Sequence, residues 1–160
     1  MKRIIISAAL SFCILVSAAA ANPIEKRLGG RSRAIGIRGA YGIELSYQHS
    51  LGANFVEADL GLVSNAFNLA VTYNWIIAQP QWADRGEICI YGGPGGAIGL
   101  GLNPSKINIA AAGQLGIEYS FWFPLQLSLD IRPMLGLQIG GGSGLYFDGC
   151  IPSFGIRYRF

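Results

Sequence analysis

From Ile35 to the C-terminal Phe160 the sequence alternates in polarity with a period of two, and no stretch of it repeats at the spacing of a helix. A period of two sends successive side chains to opposite faces of an extended strand, so the chain is committed to sheet with two chemically different surfaces. The first run sets Ile35, Ile37, Gly39, Tyr41, Ile43, Leu45 and Tyr47 against Gly36, Arg38, Ala40, Gly42, Glu44, Ser46 and Gln48. The phase then switches, with Val56, Ala58, Leu60 and Leu62 apolar around Glu57 and Asp59. Next, Phe67, Leu69, Val71, Tyr73, Trp75 and Ile77 oppose Asn68, Ala70, Thr72 and Asn74. Later runs cover 107–121, 125–139 and the closing Phe154, Ile156, Tyr158 and Phe160.

The run from Glu87 to Leu102 is interrupted by Gly92-Gly93-Pro94-Gly95-Gly96, yet Ile88, Ile90, Ile98, Leu100 and Leu102 keep one parity across it. It reads as one long strand with a kink or bulge at the glycines. With the first run folded into a hairpin near Gly39 to Gly42, eight strands result: 32–39, 42–49, 54–63, 67–77, 87–102, 107–121, 125–139 and 149–160. The expected fold is all-β, an eight-stranded antiparallel up-and-down transmembrane β-barrel over 32–160.

Lipid rather than water outside is argued from where charge falls. Arg38, Glu44, Glu57, Asp59, Glu118, Asp130, Arg132, Arg157 and Arg159 all share the face opposite the large aliphatic side chains. Leu125, Leu127, Leu129, Ile131, Pro133, Leu135, Leu137 and Ile139 give eight outward positions without a polar side chain, long enough for a hydrocarbon core that takes about 9–11 strand residues. A soluble, ligand-carrying barrel is the alternative fold, and it requires an apolar lumen. Aromatic residues gather at one level of the strands, as at a membrane interface: Tyr47, Phe55, Tyr73, Trp75, Trp82, Tyr119, Phe121, Trp122, Phe123, Tyr158 and Phe160. Tyr41, Phe67, Tyr146 and Phe147 form a thinner belt at the other.

The N-terminal residues carry a separate signal. Lys2 and Arg3 precede an apolar run that ends in Ala18-Ala19-Ala20-Ala21, the pattern of a secretory signal peptide cleaved after Ala21. The alternative is an uncleaved anchor; small residues and the lack of aromatic flanks favour cleavage. Cys13 follows the bulky Phe12 and does not fit a lipid-attachment site. Residues 22–31 then form a short polar segment before the barrel. The cleaved chain has ten basic and nine acidic residues, a balance that suggests no nucleic-acid partner. Cys89 and Cys150 fall toward opposite ends of the strands and are expected not to pair.

The final residues, Ser153-Phe154-Gly155-Ile156-Arg157-Tyr158-Arg159-Phe160, resemble the C-terminal signature of bacterial outer-membrane barrels, with polar Ser153, Gly155, hydrophobic Tyr158 and terminal aromatic Phe160. Gly116-Ile117-Glu118-Tyr119 and Leu127-Ser128-Leu129-Asp130-Ile131-Arg132-Pro133 resemble a hairpin of small outer-membrane barrels of Bacteroidetes-type bacteria. The resemblance implies location in the outer membrane of a Gram-negative cell, contact with its lipid, and recognition of the last strand by the barrel-assembly machinery. A monomer is expected.

An eight-stranded barrel has an interior that side chains can fill, so a general pore is not expected. The four arginines and five carboxylates should pair and plug the lumen, since buried charge survives when paired; a gated ion path is the sharper alternative. Ala97, Gly99, Gly101, Ala110, Ala112 and Gly136 leave room for an outward-facing vestibule, which could take an acyl chain or small ligand. Enzymatic chemistry finds no support in the sequence. The lone histidine, His49, precedes Ser50 in an inner turn, the glycine block has neither a following helix nor a Lys-Ser/Thr, and no metal-ligand spacing occurs, so no catalytic residues, metal or cofactor are expected. External connections are short, which disfavours adhesion, while the inner connection from Ala78 to Gly86, with Trp82, Asp84 and Arg85, could meet a periplasmic partner. The reading is a non-enzymatic structural or interaction component of the envelope, with a lipid- or ligand-binding barrel as the alternative.

Overall fold

The computed structural model describes residues 31–39, 42–63, 66–80, 85–102, 105–140, 144–148 and 151–160. Residues 1–21, expected to be a leader, nearly all of the 22–31 segment, Tyr41, Trp82, Asp84 and Cys150 lie outside them. Ten strand segments follow in order: β1 (Arg33–Gly39), β2 (Ile43–Ser50), β3 (Asn54–Val63), β4 (Ala66–Ala78), β5 (Gly86–Leu102), β6 (Ser105–Phe121), β7 (Leu125–Ile131), β8 (Met134–Ile139), β9 (Gly144–Asp148) and β10 (Pro152–Arg159).

These segments form a closed barrel of eight strands, all antiparallel. Sequential neighbours pair from β1 through β6, β6 pairs with β7, β7 with β10, and β10 with β1, which closes the ring. Closure removes the unpaired edges that an open eight-stranded sheet would carry. β7 and β8 are one strand along β6: Leu115 opposite Ile131 and Ala112 opposite Met134 keep a single register, bridged by Gly113 N–H donating to Pro133 O at 2.9 Å. The break between them is at Arg132-Pro133, because proline has no N–H for the other neighbour. β9 and β10 likewise make the eighth strand, with the register slipping by one residue between Asp148, opposite Met134, and Pro152, opposite Ile131.

Three local expectations change. The last strand begins at Gly144 rather than 149, since Gly144–Asp148 continues the ladder against β8. The glycine block carries no bulge: β5 runs in unbroken register with β6 from Gly86 opposite Phe121 to Leu102 opposite Ser105. The bulge is on β4, between Ile76 and Ala78, opposite Tyr91 and Ile90, while the glycine block lies further along β5 against Val71 to Trp75. Gly93 is needed there for close approach, since a Cβ would fall on the Tyr73 backbone carbonyl.

The faces divide as the period of two requires. Leu60, Leu69, Ile98, Ile109, Leu129 and Leu137 point out and are about half exposed, so the outer surface is a continuous apolar band. The lumen is polar: Arg38, Gln48, Glu57, Asn74, Gln114, Glu118, Gln126 and Arg157 are each no more than 2% exposed. At the end of the barrel that carries Phe160 a small apolar cluster of Phe55, Ile76, Cys89 and Tyr91 fills the interior. Phe55 therefore does not belong to the aromatic belt; its odd position in β3 turns it inward, edge-on to Tyr91 with ring centroids 5.0 Å apart.

Candidate functional site

The interior side chains build two polar tiers. One surrounds Arg157. Its position in β10 aims it across the lumen, and Gly155 beneath it leaves space: a Cβ there would sit 3.2 Å from Arg157 Nη1 and collide with Ser128 Oγ. Arg157 donates from Nε to Ser46 Oγ at 2.8 Å, from Nη1 to Ser128 Oγ at 2.8 Å and from Nη2 to Glu57 Oε1 at 2.7 Å. Glu57 also accepts from Gln48 Nε2 at 2.8 Å and Gln114 Nε2 at 3.2 Å. Gln126 links Gln48 Oε1 to Glu118 Oε2, at 3.0 and 2.5 Å, and Thr72 and Asn74 both donate to Gln114 Oε1. The buried carboxylate Glu57 thus has a charge partner and two amide donors, which is what burial of an ion requires.

The second tier lies toward the opposite end. Arg38 donates to Asp130 and, from Nη1, to Glu44 Oε2 at 2.7 Å. Arg132 donates to Asp59 and, from Nη2, to Glu44 at 2.8 Å. Glu44 on β2 is therefore the bridge between two guanidinium groups that come from β1 and from the β7–β8 junction. Tyr91 OH lies 3.4 Å from Asp130 Oδ2, connecting this tier to the apolar cluster. Arg159, 6% exposed, stands two residues beyond Arg157 on the inward face of β10, at the Phe160 end. The glutamines and the asparagine that build the Arg157 tier, Gln48, Gln114, Gln126 and Asn74, carry no charge and do not stand out in the sequence; their signal is their inward parity, which the three glutamines share with charged residues of the same strand.

Beyond the second tier, at the end away from Phe160, a cavity of about 130 Å³ opens. Its floor is Arg38, Glu44 and Arg132; Ala97 and Gly99 are in its wall, with Asn68 and Asn108 beside them. Ala110 and Ala112 are buried but do not line it, nor do Gly101 and Gly136. Over Gly136 lies Tyr146, whose ring would meet a Cβ there at 2.8 Å. Tyr146 lines the cavity and so is no part of an external belt, because β9 turns it inward while Leu145 and Phe147 face out. The site is open and its lining is mixed, with charged and amide side chains beside Ala70, Ala97, Met134 and Ile151, not an apolar sleeve for an acyl chain.

In the last strand, Ser153 and Gly155 point into the lumen, while Tyr158 and Phe160 are outward and about half exposed. Tyr119, Phe121, Trp122 and Phe123 form a run of ring contacts with centroids 4.6 to 5.2 Å apart at the same end. Cys89 is buried, its Sγ 3.4 Å from Glu87 Oε1 and from Gln79 Nε2. Among the described residues no group of three His, Cys, Asp or Glu is arranged to hold a metal ion. Comparison with models of protein families, with curated proteins and with solved structures finds no match to this chain.

Proposed function

We propose that the protein is an outer-membrane β-barrel of a Gram-negative bacterium, of the small Bacteroidetes type, and that it serves as a non-enzymatic structural or interaction component of the envelope. The observation that carries this is the pairing of a continuous apolar exterior with an interior closed by Arg157, Arg38 and Arg132 on carboxylates. In water the half-exposed leucines and isoleucines around the whole circumference would make an apolar patch far beyond the few hundred Å² that soluble monomers expose. In a bilayer the same band is solvated by acyl chains, and the aromatic run at the Phe160 end sits at the interface. On this reading the leader is removed after Ala21, the last strand is handed to the barrel-assembly machinery through Ser153, Gly155, Tyr158 and Phe160, and the folded chain is a monomer in contact with outer-membrane lipid.

The test is fractionation followed by electrophoresis without boiling. An outer-membrane protein whose mobility changes on boiling in SDS is the expected result; a soluble protein with no such change overturns the proposal. In planar bilayers the plugged lumen gives no steady conductance above baseline. A second reading, a ligand-binding barrel, is favoured by the cavity above Glu44. Its volume is well below the roughly 300–1,000 Å³ of sites for drug-sized molecules, so it would take only a small group.

A further inference from the structure

We infer that the outward face of β2, β1 and β10 at the Phe160 end is a binding site for the phosphate of an anionic phospholipid headgroup, with Arg33 as its cation. The inference rests on the membrane reading above and names the headgroup that the barrel selects there.

Register gathers the donors. Ile35 on β1 stands opposite Tyr47 on β2 and Tyr158 on β10, so two phenols flank β1 on one rung, two strand spacings or roughly 9–10 Å apart. Arg33 follows two residues nearer the barrel end. It stands opposite His49, and its backbone exchanges hydrogen bonds with Phe160 at 3.2 and 2.8 Å. The period of two keeps Arg33 on the outer face with Ile35 and Ile37, whereas Arg38, Arg157 and Arg159 turn inward and are buried.

Uncommitted donors are the second argument. Arg33 is exposed, as is Arg31 just before β1, and neither makes an ion pair or a side-chain hydrogen bond with a described residue. The hydroxyls of Tyr47 and Tyr158 likewise have no partner among the described residues. Other tyrosines of the same belt are engaged: Tyr73 OH accepts from Asn54 Nδ2 at 2.8 Å, and Tyr119 OH donates to Arg85 O at 3.1 Å. Donor capacity is therefore concentrated in one sector of the belt.

Charge is the third. The outward positions of β1, β2 and β10 carry no Asp or Glu. The α-carboxylate of Phe160 stands beside Arg33, one negative charge against the two guanidinium groups of Arg31 and Arg33. A guanidinium presents paired N–H donors that match two phosphate oxygens, and phenols add O–H donors at the depth where aromatic side chains meet headgroups. A zwitterionic headgroup brings its own cation to a patch that is already positive, so the net-negative headgroup is the one favoured.

The experiment folds the full chain into vesicles of equimolar phosphatidylglycerol and phosphatidylcholine, extracts it in mild detergent and counts the retained lipids by native mass spectrometry. Preferential retention of phosphatidylglycerol is expected. Arg33→Gln should lower that preference about fivefold, the effect of one cation beside an anionic headgroup. Tyr47→Phe combined with Tyr158→Phe should lower it while keeping both rings. Arg85→Gln removes an exposed arginine at the same end but on the opposite wall, ahead of β5, and should leave the preference unchanged. Each variant is checked for its mobility change on boiling. Equal retention of the two lipids, or an unchanged preference in folded Arg33→Gln or in the folded double variant, overturns the inference. An equal loss in Arg85→Gln also overturns it, because diffuse charge rather than a site then holds the lipid. A chain that does not insert, with no mobility change, overturns the membrane proposal and this site with it; insertion without preference overturns this inference alone.

Discussion

Replacing Arg157 by methionine removes the cation from the centre of the lumen while keeping most of its volume. In the native barrel the guanidinium makes three hydrogen bonds of 2.7 to 2.8 Å, one of them to the fully buried Glu57. Removing one partner of a buried ion pair costs about 3–5 kcal/mol, mostly because the other charge is stranded. Glu57 keeps two amide donors, Gln48 and Gln114, so the cost belongs at the lower end, about 3 kcal/mol. Urea unfolding in detergent, followed by tryptophan fluorescence and by the boiling-dependent gel shift, reads this directly. With a slope of about 1–3 kcal/mol per molar, the midpoint falls by about 1–3 M. Adding Glu57→Gln removes the stranded charge, so the double variant should be more stable than the sum of the two single losses by about 1–2 kcal/mol, within the range measured for residues in contact. A loss under about 1 kcal/mol for Arg157→Met, or strict additivity in the double variant, would refute the view that this ion pair closes the lumen.

The seam that closes the barrel is tested by Gly36→Ala, whose Cβ would fall on the Ile156 carbonyl and 2.6 Å from Arg157 Cα; loss of the heat-modifiable band is expected, whereas Gly96→Ala, whose Cβ has no neighbour nearer than 3.6 Å, should fold normally. Phe55→Ala empties the apolar cluster against Tyr91 and should lower stability by about 3–5 kcal/mol in the same urea assay. Leu129→Arg, on the outer face of β7, distinguishes the two solvents: near a bilayer midplane it costs about 2–4 kcal/mol in vesicles. At a water-exposed site the same change falls within about 0.5 kcal/mol.

The limits of sequence reading show at particular residues. Parity assigns Phe55 to the interior, yet its aromatic ring at the level of Tyr73 and Trp75 invites a place in the belt; only the contact with Tyr91 decides between them. Tyr146 is hidden by the turn-like composition before it, because Gly140-Gly141-Gly142-Ser143 obscures the strand that starts at Gly144. The glycine block looks like the site of a bulge, but glycine there answers to the close approach of β4, which carries the irregularity itself.

Sequence alone determined that the chain forms strands and which side chains share a face of each strand. Those follow from a local rule, the two-residue repeat of an extended backbone, and need no knowledge of partners. Tertiary structure decided the rest. Arg157 meets Glu57, 100 residues earlier, and Arg132 meets Glu44, 88 residues earlier, only because closure and strand stagger bring opposite walls of the lumen to one depth. The cavity above Glu44 has the same origin: it is the space left where the charged tier ends and the wall residues become small, a result of how eight strands enclose a volume rather than of any segment by itself.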